Sequence, residues 1–222
     1  MKRSASDYAY LMIRSSILNQ KYSMGSQLKE VTISKELGIT RTPIREAIIR
    51  LEREGMVETF HNRGAFVVRL SKREIKELYE IREALETKAI SLGYRKASRD
   101  EITHIRDGLL KREKLVRGNL PQDYFGKVLD FHFEIIKLSN NEKMISIWKS
   151  LDSQLSLVRS SSTMIGKRYI EALKEHKEIL SSLAKGNCRK TEQLMKAHIA
   201  KSRDNLLAHC LEVKKDTDSH GN

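Results

Sequence analysis

The stretch ISKELGITRTPIREAIIRLEREG, residues 33–55, decides the fold of the first part of the chain. Gly38 stands where a C-cap glycine ends a helix, and a second helix is expected to begin within three residues of it. Ile44, Ile48 and Leu51 recur at helical spacing and give this second helix one apolar face. Two helices joined by a tight glycine turn predict a helix-turn-helix.

The segments on either side of this stretch complete a winged helix-turn-helix. Residues 5–20 carry apolar positions three and four apart, which predicts an amphipathic helix. LKEVTISKEL then resumes helical spacing through Leu28, Val31 and Leu37. Two β-prone runs within residues 56–70 flank the loop HNRG and predict a β-hairpin, the wing.

The second helix of the turn also carries the residues that indicate a partner. Arg41 and Arg45 are four residues apart and therefore share one face, separate from the apolar one. Such a helix enters the major groove with its N-terminal residues, where an arginine can bond guanine O6 and N7 together. Thr40 and Thr42 can cap the helix and reach phosphates. Pro43 is tolerated because N–H groups of the first turn have no intrahelical acceptor.

An ordinary surface helix with two exposed arginines is the alternative interpretation. The helix-glycine-helix turn before these arginines and the hairpin after them favour DNA binding. Lys plus Arg exceeds Asp plus Glu by 13, which suits a polyanionic partner but also a merely basic, solvated surface. Two cysteines are too few for a disulfide framework, and no apolar run approaches the ~18 residues of a membrane span. We therefore expect a cytoplasmic protein.

From Ser71 onward the sequence has the periodicity of long helices. Ser71 and Glu74 have the spacing of a capping box, and apolar positions then recur at three and four. Further helical segments are expected at residues 99–117, 121–139, 141–165, 167–185 and 187–213. The predicted fold is mainly α: a winged helix-turn-helix over residues 1–70, an all-α bundle of about six helices over 71–213, and a disordered tail at 214–222.

Three histidines of the bundle, His132, His176 and His198, each lie in a separate expected helix among apolar positions. Imidazoles that project inward from several helices can bind Zn²⁺ or a similar ion. Three unrelated histidines are the alternative, because no tight ligand spacing such as HExxH is present. A metal-bound water would also permit a hydrolase with Asp130 or Glu134 as general base, although positions two away on a helix face away from His132.

Residues 10–70 resemble the DNA-binding domain of the GntR family of bacterial transcription regulators. The resemblance rests on YSMGSQL, ISKELGITRTPIREAIIRLEREGMV and NRGAFVV. It implies that Arg41 and Arg45 contact bases or backbone, with assistance from Thr40 and Thr42. It also implies that the tip of the wing meets the minor groove, through Asn62, Arg63 and Gly64.

Residues 71 to about 212 resemble the FCD effector domain of the FadR branch of that family. The matching pieces are LYEIREALE, FHFEIIKLSNN, EHKEILSSLAKGN and AHI, and the helix number resembles the shorter VanR-like subgroup. The resemblance implies a divalent metal, Zn or Ni or similar, at His132, His176 and His198. It also implies that a small carboxylate effector completes the coordination of this metal.

The fourth metal ligand is where the sequence departs from the family. The usual aspartate lies four residues before the first histidine, and Val128 stands there. Asp130 lies about 200° around a helix from His132 and is expected to face away unless a local bulge turns it. Otherwise a water or ligand oxygen completes the site. Arg82 is the candidate cationic partner of the effector carboxylate, and a helix ion pair with Glu86 is its alternative role.

These observations predict a homodimeric transcription regulator, a repressor and not an enzyme, that binds double-stranded operator DNA. A small organic acid controls the binding from the helical domain, with a divalent metal in the site. A metal-free pocket for an organic or acyl ligand is the first alternative. A three-histidine hydrolase is the remote one, since it leaves residues 1–70 unexplained.

Overall fold

The computed structural model describes residues 4–117, 130–161 and 167–212. The chain divides into two compact units. The first holds residues 1–74 together with 149–163, and the second holds residues 75–148 together with 164–222. The expected tail at 214–222 lies outside the described residues.

The first unit is a winged helix-turn-helix. In chain order its elements are α1 (Ala5–Leu18), β1 (Gln27–Leu28), α2 (Glu30–Leu37), α3 (Arg41–Arg53), β2 (Val57–Phe60) and β3 (Gly64–Val67). The three strands have the order β1-β3-β2, and β3 pairs antiparallel with both neighbours. Gly38 ends α2 in the left-handed conformation with φ 66°, as the turn requires. The predicted winged helix-turn-helix is therefore confirmed.

The core of the first unit explains why α3 is held firmly. Ile44 and Leu51 are fully buried and Ile48 nearly so, beside α1 residues such as Ile13. Leu157, from the part of the chain that follows Trp148, joins the same cluster. The polar edge of α3 is thereby left on the surface.

The expected apolar face of α2 is wrong in one respect. Leu28 belongs to strand β1, so the helix begins later and its periodicity is shifted. Ile33 is the buried residue of α2, whereas Val31 is half exposed. Strand β1 pairs with Ala65 and Phe66 but has only two residues. It is therefore too short to show the alternation of apolar and polar residues by which a strand is recognised in a sequence.

All regular secondary structure described in the second part of the chain is α-helical. Its elements are α4 (Lys72–Gly93), α5 (Arg99–Arg117), α6 (Phe131–Lys137), α7 (Glu142–Ser161), α8 (Lys167–Ala184) and α9 (Cys188–Glu212). The expected capping box starts α4, because the Glu74 carboxylate accepts from the Ser71 N–H at 2.8 Å and Ser71 Oγ accepts from the Glu74 N–H. The predicted all-α bundle is confirmed.

Packing in the second unit places three helices where they carry the site. α8 packs against both α5 and α9, and α5 also contacts α6. Ile105 and Leu109 of α5, Ile179 of α8 and Met195 of α9 are buried among them. Within the described ranges, none of the helices combines the length and apolar character needed to cross a bilayer.

Candidate metal centre and DNA-binding surface

Three histidines from three helices meet in the second unit. His132 is the second residue of α6, His176 lies within α8 and His198 within α9. One ligand atom from each ring lies within 4.8 Å of the others. The Nε2 atoms of His176 and His198 are 3.2 Å apart. The structure thus brings together all three histidines that the sequence singled out.

The spacing and chemistry of these donors fit a divalent transition metal. Zinc binds histidine nitrogen at about 2.0–2.1 Å, so two nitrogens on a tetrahedral ion lie about 3.3 Å apart. The observed 3.2 Å between His176 and His198 agrees with that separation. Imidazole donors suit Zn²⁺, Ni²⁺ and Cu²⁺ better than Mg²⁺ or Ca²⁺.

Two carboxylates stand behind the histidine rings. Nδ1 of His132 lies 2.7 Å from Glu86, and Nδ1 of His198 lies 2.6 Å from Glu175. A histidine that donates its Nδ1–H to a carboxylate keeps the lone pair of Nε2 for a metal. The sequence did not reveal this role for Glu86 or Glu175, because each carboxylate contacts a histidine on another helix.

The protonation states also suit metal binding. Burial lowers the pKa of His176 well below its usual range, and the neighbouring charges lower it further. Burial also lowers the pKa of His198, although Glu175 opposes this. Burial would raise the pKa of Glu175, but hydrogen bonds from His198, Arg168 and Lys201 outweigh it and hold the pKa at about 2. The two rings are therefore neutral at physiological pH and the carboxylate is ionised.

Two buried polar atoms near this cluster lack a hydrogen-bond partner among the described residues. They are Nδ1 of His176 and the indole Nε1 of Trp148. The Trp148 ring lies 6.4 Å from the ring of His132, centroid to centroid. Unpaired buried polar atoms are rare in folded proteins and call for an explanation such as a bound ion, water or ligand.

Arg82 lies directly beside the histidine cluster. Its side chain is 2% exposed, and its Nε donates to Glu86 Oε1 at 2.7 Å. Its Nη2 lies 2.7 Å from Nε2 of His132. The ion pair expected as the alternative role is present, and Arg82 also contacts one of the three histidines.

Asp130 is the N-cap of α6 and lies outside the three-histidine group. Its carboxylate accepts from the backbone N–H groups of His132 at 2.9 Å and Phe133 at 3.4 Å. The side chain therefore satisfies the start of the helix. Glu134, the other candidate general base, pairs with Lys137 at 2.7 Å. Val128 lies outside the described residues.

In the first unit, the predicted reading face lies at the start of α3. Arg41 and Arg45 are more than half exposed, and both pair with the carboxylate of Glu30, at 3.2 Å and 2.8 Å. Thr42 is exposed beside them. Thr40 takes the N-cap position, but its side chain makes no capping hydrogen bond, contrary to the expectation that it caps the helix. The role of Glu30 was not evident from the sequence, because this residue lies on α2 and its partners lie on α3.

The tip of the wing is exposed from His61 to Gly64. Asn62 and Gly64 have φ values of 59° and 87°, which turn the chain tightly between β2 and β3. The Arg63 guanidinium lies 5.6 Å from the ring centroid of Phe60. These contacts hold a basic side chain at the tip.

Comparisons with known proteins agree with this architecture. The sequence model of the family "bacterial regulatory proteins, gntR family" matches residues 5–67. The sequence model of the FCD domain matches residues 77–201. The Nta operon transcriptional regulator of Aminobacter aminovorans is 31% identical over 184 residues, 82% of this chain and 85% of that protein. The Uxu operon transcriptional regulator of Escherichia coli (strain K12) is 26% identical over 88% of this chain and 84% of its own.

A solved structure of a GntR transcriptional regulator from Rhodococcus sp. RHA1 has the same fold. Its TM-score is 0.76 at 22% identity, and the match covers 93% of this chain and 99% of that one. The related proteins are transcription regulators and not enzymes, and this excludes the hydrolase. The chain belongs to the GntR family of bacterial transcription regulators and carries an FCD domain.

Proposed function

We propose that the protein is a homodimeric repressor whose operator binding responds to a small organic acid, held at a divalent-metal site of His132, His176 and His198. The observation that carries this proposal is the pair of carboxylate-backed imidazoles, Glu86 on His132 and Glu175 on His198. A carboxylate that accepts the Nδ1–H of a histidine orients the ring so that its Nε2 can bind a metal.

The DNA-binding roles follow from the exposed start of α3 and from the wing. Arg41 and Arg45 contact bases or backbone in the major groove, with Thr40 and Thr42 toward phosphates. The exposed wing tip contacts the minor groove, through Asn62, Arg63 and Gly64. Support comes from the exposure of these side chains and from the helix-turn-helix that presents them.

Each of the two expected domains has its own function. Residues 1–70 bind DNA, and residues 71–213 bind the effector and form the dimer. A two-fold dimer reads a pseudo-palindromic operator, as helix-turn-helix dimers do. Because the target is chromosomal DNA, the protein acts in the cytoplasm. The six helices in the described part of the second domain support assignment to the shorter VanR-like subgroup.

The effector binds beside the histidines. A metal held by them would supply an open coordination position for a carboxylate oxygen. Arg82 pairs with the same carboxylate. Support for this role comes from its guanidinium, which lies within hydrogen-bond distance of His132. Trp148 offers a further buried donor nearby.

One observation favours a second candidate, the same regulator with a metal-free pocket for an organic or acyl ligand. Nε2 of His132 already accepts a hydrogen bond from Arg82. In that case the histidines and Arg82 would bind the ligand by hydrogen bonds alone.

The test measures binding to the DNA upstream of the protein's own gene by fluorescence anisotropy. Wild type and His176→Ala are each titrated with a panel of small carboxylic acids, with Zn²⁺ and with EDTA. In the presence of Zn²⁺, we expect at least one acid to weaken operator binding by the wild type. The same acid should not change operator binding by His176→Ala. A response that survives EDTA would favour the metal-free pocket, and a lack of response to every acid would contradict effector control.

A further inference from the structure

Arg82 and His132 share one hydrogen bond that bears on how the site fills. Nη2 of Arg82 lies 2.7 Å from Nε2 of His132, and Nε of the same arginine is bonded to Glu86. We propose that Arg82 is an internal cap on the metal-binding atom of His132. When the cap is released, Arg82 becomes the donor that captures the carboxylate. This inference rests on the proposed metal site.

The first step is the chemistry of the His132 ring. Its Nδ1 faces the Glu86 carboxylate, which can only accept, so Nδ1 carries the proton. Nε2 is therefore the acceptor atom, with a single lone pair in the plane of the ring. A guanidinium has donors and no acceptor, so Arg82 uses that lone pair. The bond to Arg82 and a role as metal ligand exclude each other at this atom.

The second step is what holds Arg82 when it leaves His132. Its Nε stays bonded to Glu86 at 2.7 Å, and the Tyr79 ring lies 5.3 Å from the guanidinium carbon. The side chain is 2% exposed, so it cannot turn out to water without rearrangement of the core. A small rotation about this anchor removes Nη2 from His132 and keeps it inside the site.

Once released from His132, Nη2 of Arg82 requires a new hydrogen-bond acceptor. A buried N–H without an acceptor is costly, and a guanidinium beside a dication is repelled. A carboxylate oxygen satisfies both conditions, because it accepts the hydrogen bond and supplies negative charge. Metal binding and carboxylate binding therefore reinforce each other through Arg82. Thermodynamic linkage makes this effect equal in both directions.

The experiment measures Zn²⁺ affinity by calorimetry and by the fluorescence of Trp148, the single tryptophan of the chain, whose ring lies 6.4 Å from that of His132. Arg82→Lys keeps the positive charge beside Glu86 but lacks the planar fork through which two different nitrogens bond Glu86 and His132 together, so its bond to His132 should be weaker. Arg106→Lys, on the exposed side of α5, is the matched control. Each protein is titrated with and without acetate as the carboxylate probe.

Without acetate, we expect Arg82→Lys to bind Zn²⁺ up to about tenfold more tightly than wild type, since the charge-assisted hydrogen bond that competes for Nε2 of His132 is weakened. Arg106→Lys should match the wild type. Acetate should tighten Zn²⁺ binding of the wild type by a larger factor than that of Arg82→Lys. Unchanged or weaker Zn²⁺ binding by Arg82→Lys would overturn the inference, because Arg82 would then support the metal and not compete with it.

Failure of the inference and failure of the metal site are distinguishable. If the wild type binds Zn²⁺, His176→Ala does not, and Arg82→Lys binds no more tightly than wild type, the metal site stands and only the cap is rejected. A lack of Zn²⁺ binding in every protein rejects both. If Arg82→Lys does not fold, wild type labelled with ¹⁵N-arginine serves instead. The resonance of the buried Arg82 guanidinium should shift on addition of Zn²⁺, and an unchanged resonance would contradict the cap.

Discussion

The two candidate sites use the same kind of pairing, a basic group against a carboxylate, in opposite environments. On the proposed DNA-binding surface, Glu30 pairs with Arg41 and Arg45, whose side chains are 54% and 60% exposed. In the histidine cluster, Glu86 is fully buried beside Arg82. Exposed pairs contribute about 0–1 kcal/mol each, whereas breaking a buried pair costs about 3–5 kcal/mol.

The difference in burial suits the proposed role of each site. A DNA-binding arginine must exchange its partner for a base or phosphate at little cost, so a weak surface pair is suitable. A metal site must hold its ligands in place before the ion arrives, so buried pairs are suitable there. Variants that weaken one kind of pair at a time test this contrast.

The largest effect is expected from the DNA-binding surface itself. Replacing both Arg41 and Arg45 with Ala should lower operator affinity by roughly 100-fold or more, since each good base contact is worth about 1–3 kcal/mol. Anisotropy on the operator duplex measures this loss. Arg53→Ala, at the far end of α3, is the matched control and should leave affinity almost unchanged. Equal affinities for the double variant and wild type would remove α3 from the DNA contact.

The next effect concerns the carboxylates behind the histidines. Glu86→Gln and Glu175→Gln should each weaken metal binding by about 10–100-fold, because neutral amides no longer orient and polarise the rings of His132 and His198. Calorimetry with Zn²⁺ measures the affinity. Glu171→Gln, an exposed residue of α8, is the control. If all three variants bind like wild type, the carboxylates do not prepare the site.

The buried histidine also predicts a pH dependence of stability without metal. The folded-state pKa of His176 lies well below its unfolded value near 6.5, so the unfolded chain binds a proton that the folded one does not. The stability contributed by this neutral ring is present above pH 6.5 and lost as the pH falls below it. Thermal unfolding in EDTA between pH 7.5 and pH 5 should show a falling Tm. His176→Gln should flatten this slope, and an unchanged slope would contradict the assignment.

The smallest effect is expected at Glu30. Glu30→Gln removes one negative charge from the DNA-facing surface and releases Arg41 and Arg45, so binding to non-operator DNA should tighten about two- to fivefold at low salt. Glu58→Gln, an exposed residue of β2, is the control for a change of charge. Weaker binding to non-operator DNA by Glu30→Gln would show that the exposed pair is more than an exchangeable one.

Much of the fold could be predicted because its signals are local. Gly38 ends one helix, Ile44 and Ile48 recur at helical spacing, and Ser71 starts α4 with a capping box. Strand β1 could not be predicted, because two residues show no alternation. Its omission also led to the expectation that Val31 lies on the apolar face of α2, whereas Ile33 is the buried residue.

The sites divide in the same way. The three histidines could be selected from sequence because each lies among apolar positions of an expected helix and because the chain resembles a known family. Glu30, Glu86 and Glu175 could not be placed, since each makes its decisive contact with another helix. Helix geometry predicted that Asp130 faces away from a metal, and the structure shows a different cause, its role as N-cap of α6.

The central claim is that buried, carboxylate-backed histidines prepare a metal site in a DNA-binding regulator. The most direct test is elemental analysis of wild type and His176→Ala, purified side by side without chelator and without an affinity tag that binds metal. We expect a stoichiometric divalent transition metal in the wild type and its loss from His176→Ala. Wild type without metal that also fails to take up Zn²⁺ or Ni²⁺, or equal metal in both proteins, would contradict the claim.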